Sequence, residues 1–193
     1  MPPGRCAIWR CWFGIGCADL VYFSLMRKVV VLLALVLAVS VYADDTSKRI
    51  LASDEQTQIT VPGNWEVLEL NDAAEIEVGN ETDEAYLIVL NELKDDLAGW
   101  NLDKHSRVTL GKLLSSLSDP TVTGPKSVTV NGSPAVQYEI RGASDGRNIM
   151  YIHTTVDGPK YFSQILAWTL ASRASVVKPQ LMKAIATFRE VAD

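Results

Sequence analysis

The sequence predicts an α+β domain, an antiparallel β-sheet covered by helices. Three observations lead there. Residues 127–170 read as a run of strands joined by tight turns. Residues 108–117 and 176–188 carry apolar side chains at helical spacing. The last two strands of the run are apolar on both faces, the pattern of a sheet covered on both sides. Runs of strands with a few helices build layered α+β domains.

The elements follow in order. Residues 58–61 form a strand that ends at Pro62-Gly63-Asn64. In 74–78 Glu alternates with Ile and Val, and 85–93 is strongly strand-like. In 108–117 Leu110, Leu113, Leu114 and Leu117 mark a helix, and Pro120 follows its end. Residues 127–130 are a short strand, turned by Asn131-Gly132, where both positions tolerate positive φ. In 135–141 Val136, Tyr138 and Ile140 share one face. Ser144-Asp145-Gly146 turns into a strand at 148–156, and Asp157-Gly158-Pro159 turns into one at 161–170. There Phe162, Leu166, Trp168 and Leu170 are in phase. In 176–188 Val177, Leu181, Ile185 and Phe188 form a helical stripe, with Pro179 early, where a missing N–H costs little. With no repeat, low-complexity stretch or linker, this is one domain.

A leader precedes it. Met26-Arg27-Lys28 is basic, 29–41 holds thirteen residues of which only Ser40 is polar, and Val41-Tyr42-Ala43 offers a cleavage site before Asp44-Asp45. The apolar run is shorter than the ~20 residues of a spanning helix. We therefore expect a signal peptide at 26–43, cleaved after Ala43, and an exported chain, periplasmic or secreted. Uncleaved, the segment would tether the protein to a membrane. Residues 1–25 fit no targeting pattern and read as an over-extended gene start. They hold all three cysteines, Cys6, Cys11 and Cys17. Gly14-Ile15-Gly16-Cys17 is a poor lipobox, without the leading Leu. The mature domain, 44–193, has no thiol and needs no oxidant.

Charge excludes some functions. The mature chain carries 14 bases against 22 acids, a net of −8. That field opposes nucleic acid. Residues 44–100 carry 3 bases and 15 acids, whereas 101–193 carry 11 bases and 7 acids. Part of this imbalance is neutralised where the halves pack. The remainder suits a basic partner.

The residue types offer little chemistry. His105 lies among Asp103, Lys104 and Ser106 and reads as an exposed residue near a helix start. His153 lies mid-strand on the face of Ile149 and Tyr151 and reads as a core histidine. No Gly-x-Ser-x-Gly elbow and no phosphate loop opening into a helix occurs. Two separate histidines and a mature chain without cysteine leave only oxygen ligands for a metal. Glu81, Asp83 and Glu84 are the densest such group and a weak calcium candidate, without the glycine of an EF-hand loop. We expect no catalytic residue and no cofactor. Trp100, in a loop after Ala98-Gly99, is a candidate contact residue, with core packing as the plainer alternative. Tyr151, His153 and Trp168 could line a pocket between sheet and helices, although large aromatics are mostly core.

Certain short segments resemble a family. Ile59-Thr60-Val61-Pro62-Gly63-Asn64-Trp65 is similar to the opening strand and nearby Trp of PsbP-like domains, whose bacterial relatives include DcrB-type envelope proteins. Val130-Asn131-Gly132-Ser133-Pro134-Ala135 resembles their central hairpin, and Ile185-Ala186-Thr187-Phe188-Arg189 their terminal helix end. The resemblance implies an α-β-α sandwich without a catalytic set. Its members include supports of the photosystem II oxygen-evolving site, a binder of a small GTPase and many exported bacterial proteins. The expected function is an exported, non-catalytic binding or accessory protein of the cell envelope, monomeric, with an envelope protein as partner. The alternative is a carrier of a small ligand or divalent cation.

Overall fold

The computed structural model describes residues 46–191. The leader, the three cysteines and the expected cleavage site lie outside them. Ten strands and two long helices follow one another: β1 (Ser47–Leu51), β2 (Thr57–Pro62), β3 (Glu66–Val67), β4 (Ile76–Asn80), β5 (Ala85–Leu93), α1 (Leu102–Ser115), β6 (Ser118–Val130), β7 (Ser133–Ser144), β8 (Arg147–Asp157), β9 (Tyr161–Leu170), α2 (Ala174–Ile185) and β10 (Arg189–Glu190). Seven strands form one sheet in the order β3-β4-β5-β9-β8-β7-β6, and β1-β2-β10 form a small second sheet. Every pairing is antiparallel.

Turn chemistry sets the registers. Asn131-Gly132 and Asp145-Gly146 all take positive φ, the geometry of two-residue hairpins. Glu190 of β10 accepts from the Lys160 and Tyr161 amides, so the C-terminal strand closes the β8–β9 turn.

Both faces of the large sheet are covered, as the two-sided apolar pattern of the last two strands predicts. On one face lie α2 and the small sheet. Val177, Leu181, Ile185 and Phe188 meet Ile59, Val61 and Trp65 there, above Leu87, Val89, Ile152, Ile165 and Ala167. On the other face α1 packs on β7, β8 and β9. The result is an α-β-α sandwich. Among the described residues no helix is long and apolar enough to cross a membrane.

Two elements begin well before the positions read from the sequence. β6 begins at Ser118 rather than at 127, because its first ten residues are exposed and carry no apolar alternation to read. This edge strand contains Pro120 and a cis Gly124-Pro125 bond, and its register shifts twice against β7. α1 starts at Leu102, six residues early, because the Asn101 side chain caps it by accepting from the Lys104 amide at 2.8 Å.

Gly79 seats one part of the sheet. A Cβ there would lie 2.6 Å from the Ala85 carbonyl oxygen and 3.0 Å from the Tyr86 ring. Gly79→Ala should therefore destabilise the domain by roughly 1–3 kcal/mol, read as a lower urea midpoint with an unchanged slope.

Candidate functional site

Cross-strand neighbours share a face, so the registers place the side chains on the α1 face in rows. One row runs Glu66–Gly79–Tyr86–Trp168–Tyr151–Ile140 across β3, β4, β5, β9, β8 and β7. The next runs Glu77–Ile88–Leu166–His153–Tyr138. Trp168, Tyr151 and His153 thus stand on adjacent rows. Tyr86 stacks on Trp168 at 5.5 Å and 19°, and Tyr151 lies 6.2 Å from Trp168. All three rings of this row are half-buried.

α1 crosses the face obliquely. At its start His105 stacks on Phe162 at 5.1 Å, and in its middle Thr109 meets His153. Further on, Leu110 packs on Tyr138 and Ile140, with Leu113, Leu114, Leu117 and Tyr151 alongside.

The helix buries both histidines completely. For His105 this corrects the expectation of an exposed residue, and the early helix start is the reason. His105 Nε2 lies 2.9 Å from a Glu92 carboxylate oxygen and His153 Nε2 lies 3.0 Å from Thr109 Oγ1. The Thr109 hydroxyl lies 3.0 Å from the His105 carbonyl, four residues back, and donates to it. It then accepts from His153, and the Glu92 carboxylate accepts from His105, so both imidazoles are Nε2–H tautomers when neutral. Burial lowers the His153 pKa to about 4, and the nearby His105 adds to the shift. His105 is also lowered, by burial first, although Glu92 opposes this.

Nδ1 of each imidazole, Ser106 Oγ and Thr155 Oγ1 have no hydrogen-bond partner among the described residues. Ser106 makes no bond to either ring, so the pair lacks the nucleophile–base contact of a catalytic site.

Trp100 is half-buried and packs edge-on to His105 at 6.0 Å. Lys104 sits over its other neighbouring space at 4.8 Å from the ring, and Lys94 lies 4.9 Å from Phe162. Lys94 is itself held by Asp157 and the Gly158 carbonyl. Trp100 therefore closes the end of the histidine cluster and stands apart from the Tyr86–Trp168–Tyr151 row.

The carboxylates proposed for calcium have other partners. Arg147 Nη2 lies 2.9 Å from both oxygens of Glu84, and Arg173 lies 3.2 Å from Asp83. Glu81 has no such partner. A cation at this loop would have to displace two guanidinium groups, and among the described residues no group of three or more His, Cys, Asp or Glu side chains is placed to hold a metal. Burial, then Glu84 and Glu81, raises the Tyr86 pKa. A cavity of about 320 Å³ lies elsewhere, where the first register shift of β6 opens the sheet at Ser118, Thr121, Arg141, Gly142 and Asn148.

Sequence reasoning missed Tyr86, Thr109 and Glu92 and placed His105 at the surface. His105, Thr109 and Leu113 recur at four-residue spacing, and a helix started at the Asn101 cap would have put them on one stripe.

No protein-family profile and no curated protein matches the chain. Solved structures do. LpqN of Mycobacterium tuberculosis, described as involved in cell envelope biogenesis, is 14% identical and aligns with a TM-score of 0.57 over 76% of this chain and 91% of its own. The cyanobacterial PsbP of Synechocystis sp. PCC 6803 gives 12%, 0.51, 76% and 94%. This is the PsbP-like fold. The Saccharomyces cerevisiae Ran-binding protein Mog1p shares it, at 12% identity and a TM-score of 0.53, over 75% of this chain and 95% of that one. At these identities the likeness concerns the architecture, which the PsbP-like α-β-α sandwich expected from Ile59–Trp65 and Ile185–Arg189 anticipates.

The neutral histidine pair makes stability depend on pH. Between pH 6.5 and about 4 the unfolded chain binds a proton at His153 and the folded chain does not. Stability should therefore fall as pH falls through that window, by on the order of 3 kcal/mol in total, and the pair should contribute no slope above it. His153→Gln should remove most of the slope. Urea midpoints at pH 7, 6, 5 and 4.5 measure both.

Proposed function

We propose that the chain is an exported, non-catalytic binding or accessory protein of the cell envelope, acting on a protein partner as a monomer. The observation that carries this reading is the split between the two parts of the α1 face. The histidines, the residues with most chemistry to offer, are sealed under α1 and bonded to Glu92 and Thr109. What remains half-exposed is a set of packed rings and unpaired carboxylates, which suits recognition better than turnover. The basic and apolar pattern of residues 26–43 supports export. LpqN, with the same architecture, is described as involved in envelope biogenesis, and Mog1p as Ran-binding.

The reading competes with a small-ligand carrier. A pocket lined by Tyr151, His153 and Trp168 would need α1 to move, because Thr109 and Leu110 stand over His153 and Tyr138.

In-cell crosslinking of a C-terminally tagged chain, followed by mass spectrometry, tests the proposal. A dominant envelope protein should be recovered, and the N-terminal peptide of the bait should begin at Asp44. Recovery of uncrosslinked bait alone, together with a thermal shift from a small molecule, would replace this reading with the carrier.

A further inference from the structure

We propose that the Tyr86–Trp168–Tyr151 row and the acidic β3–β4 edge beside it form one docking surface for a partner-protein segment that alternates apolar and basic side chains. The inference rests on the binding-protein reading and specifies its partner.

The surface begins where α1 ends its cover. The helix packs on β7, β8 and β9, and it leaves Tyr86, Leu90, Leu166, Trp168 and Leu170 half-buried. Leu70, on the loop beyond β3, and Val108, on the exposed side of α1, are 39% and 38% exposed. The floor is rigid. Tyr86 and Trp168 are stacked cross-strand partners, and Tyr86 shares its row with Gly79 and Glu66, with the Leu68 side chain packed over Gly79 beside it. Rigid aromatic rings bury large areas at little entropic cost.

Charge selects the occupant. Residues 52–93 hold no Lys or Arg, so no base from β2 to β5 offsets the acids there. Among the described residues, second-half arginines form ion pairs with these acids only at the β4–β5 turn, through Arg147–Glu84 and Arg173–Asp83. Glu66, Glu69, Asp72 and Glu75 have no ion pair or hydrogen bond to their carboxylates among the described residues, and the first three are exposed. Glu77, by contrast, is used to hold the Leu70 and Asn71 amides, which fixes the loop carrying this edge. A field of four free carboxylates beside apolar rings favours Lys or Arg side chains, which gain from the rings as well as from the acids. The same field repels anionic lipid and nucleic acid.

The probe is a fluorescent twelve-residue peptide of alternating Leu and Lys, carrying one benzophenone, mixed with the chain as purified from cells. Adducts should map to residues 66–90 and 161–170. Anisotropy should show at least tenfold weaker binding for Tyr86→Ala and for the double variant Glu66→Gln/Glu75→Gln, whose exposed or half-exposed sites leave the fold intact. Replacing Lys by Glu in the peptide should abolish binding, and replacing Leu by Ser should weaken it at least tenfold. No binding, equal binding of the Glu peptide, or adducts on α2 or β6 would overturn the proposal. So would binding to phosphatidylglycerol vesicles through this face, or a dimer that Tyr86→Ala dissolves. Repeating the in-cell crosslinking with the double variant separates the two readings. A partner captured at unchanged yield overturns this surface and leaves the binding protein standing. No partner with either chain removes the binding protein itself.

Discussion

The whole domain depends on β9 being covered on both faces. It is the middle strand of seven, flanked by β5 from the first half of the chain and β8 from the second. Its two faces differ in size. Ser163, Ile165, Ala167 and Thr169 turn small or medium side chains towards α2, which lets the helix sit close to the sheet. Phe162, Leu166 and Trp168 turn large ones towards α1. A strand with this division can join two layers only in one register, because a slip of one residue would exchange the faces. The aromatic row and the histidine cluster are both consequences of that register, since Tyr86, Tyr151 and His153 are placed by their pairing with Trp168 and Leu166.

Burial has a cost, and both buried imidazoles fall on one side of the sheet. The layer beneath α2 is mostly apolar, with buried hydroxyls at Thr154, Ser163 and Thr169. The layer beneath α1 contains two imidazoles and several hydroxyls, and some of their polar atoms lack protein partners. An apolar replacement of similar volume would avoid that penalty. The cluster instead links α1 to the sheet through directed bonds, Glu92–His105 and Thr109–His153. Directed bonds fix the rotation of a helix more tightly than apolar contacts do. The rotation of α1 in turn decides how much of Trp168 and Tyr151 is left open.

Much of this architecture was legible. The strand at Tyr161–Leu170 and that at Ala85–Leu93 matched to the residue, because each is a run of β-branched and aromatic residues bounded by turns. Asn131-Gly132 announced its hairpin. β1, β3 and β10 were not legible, for they are short or exposed and owe their shape to partners rather than to pattern. The same holds for the first part of β6. Of the candidate site, Tyr151 and His153 could be placed on one face by alternation within a strand, whereas Tyr86 joins the row only through pairing with Trp168, about eighty positions away in sequence. His105 was misjudged because its environment comes from Glu92 and Phe162, neither of them near it on the helix.

The closing role of Glu190 bears on how the chain is made. Strand β10 pairs with β2, and its Glu190 carboxylate caps the β8–β9 turn, so the last strand of the domain holds an early strand and a central hairpin together. A ribosome delivers these pieces in the opposite order. The nascent chain lacks this clasp until β10 has been made, long after β2, and β5 must wait for β9. The order of pairing alone thus postpones folding until the second half of the domain has been made.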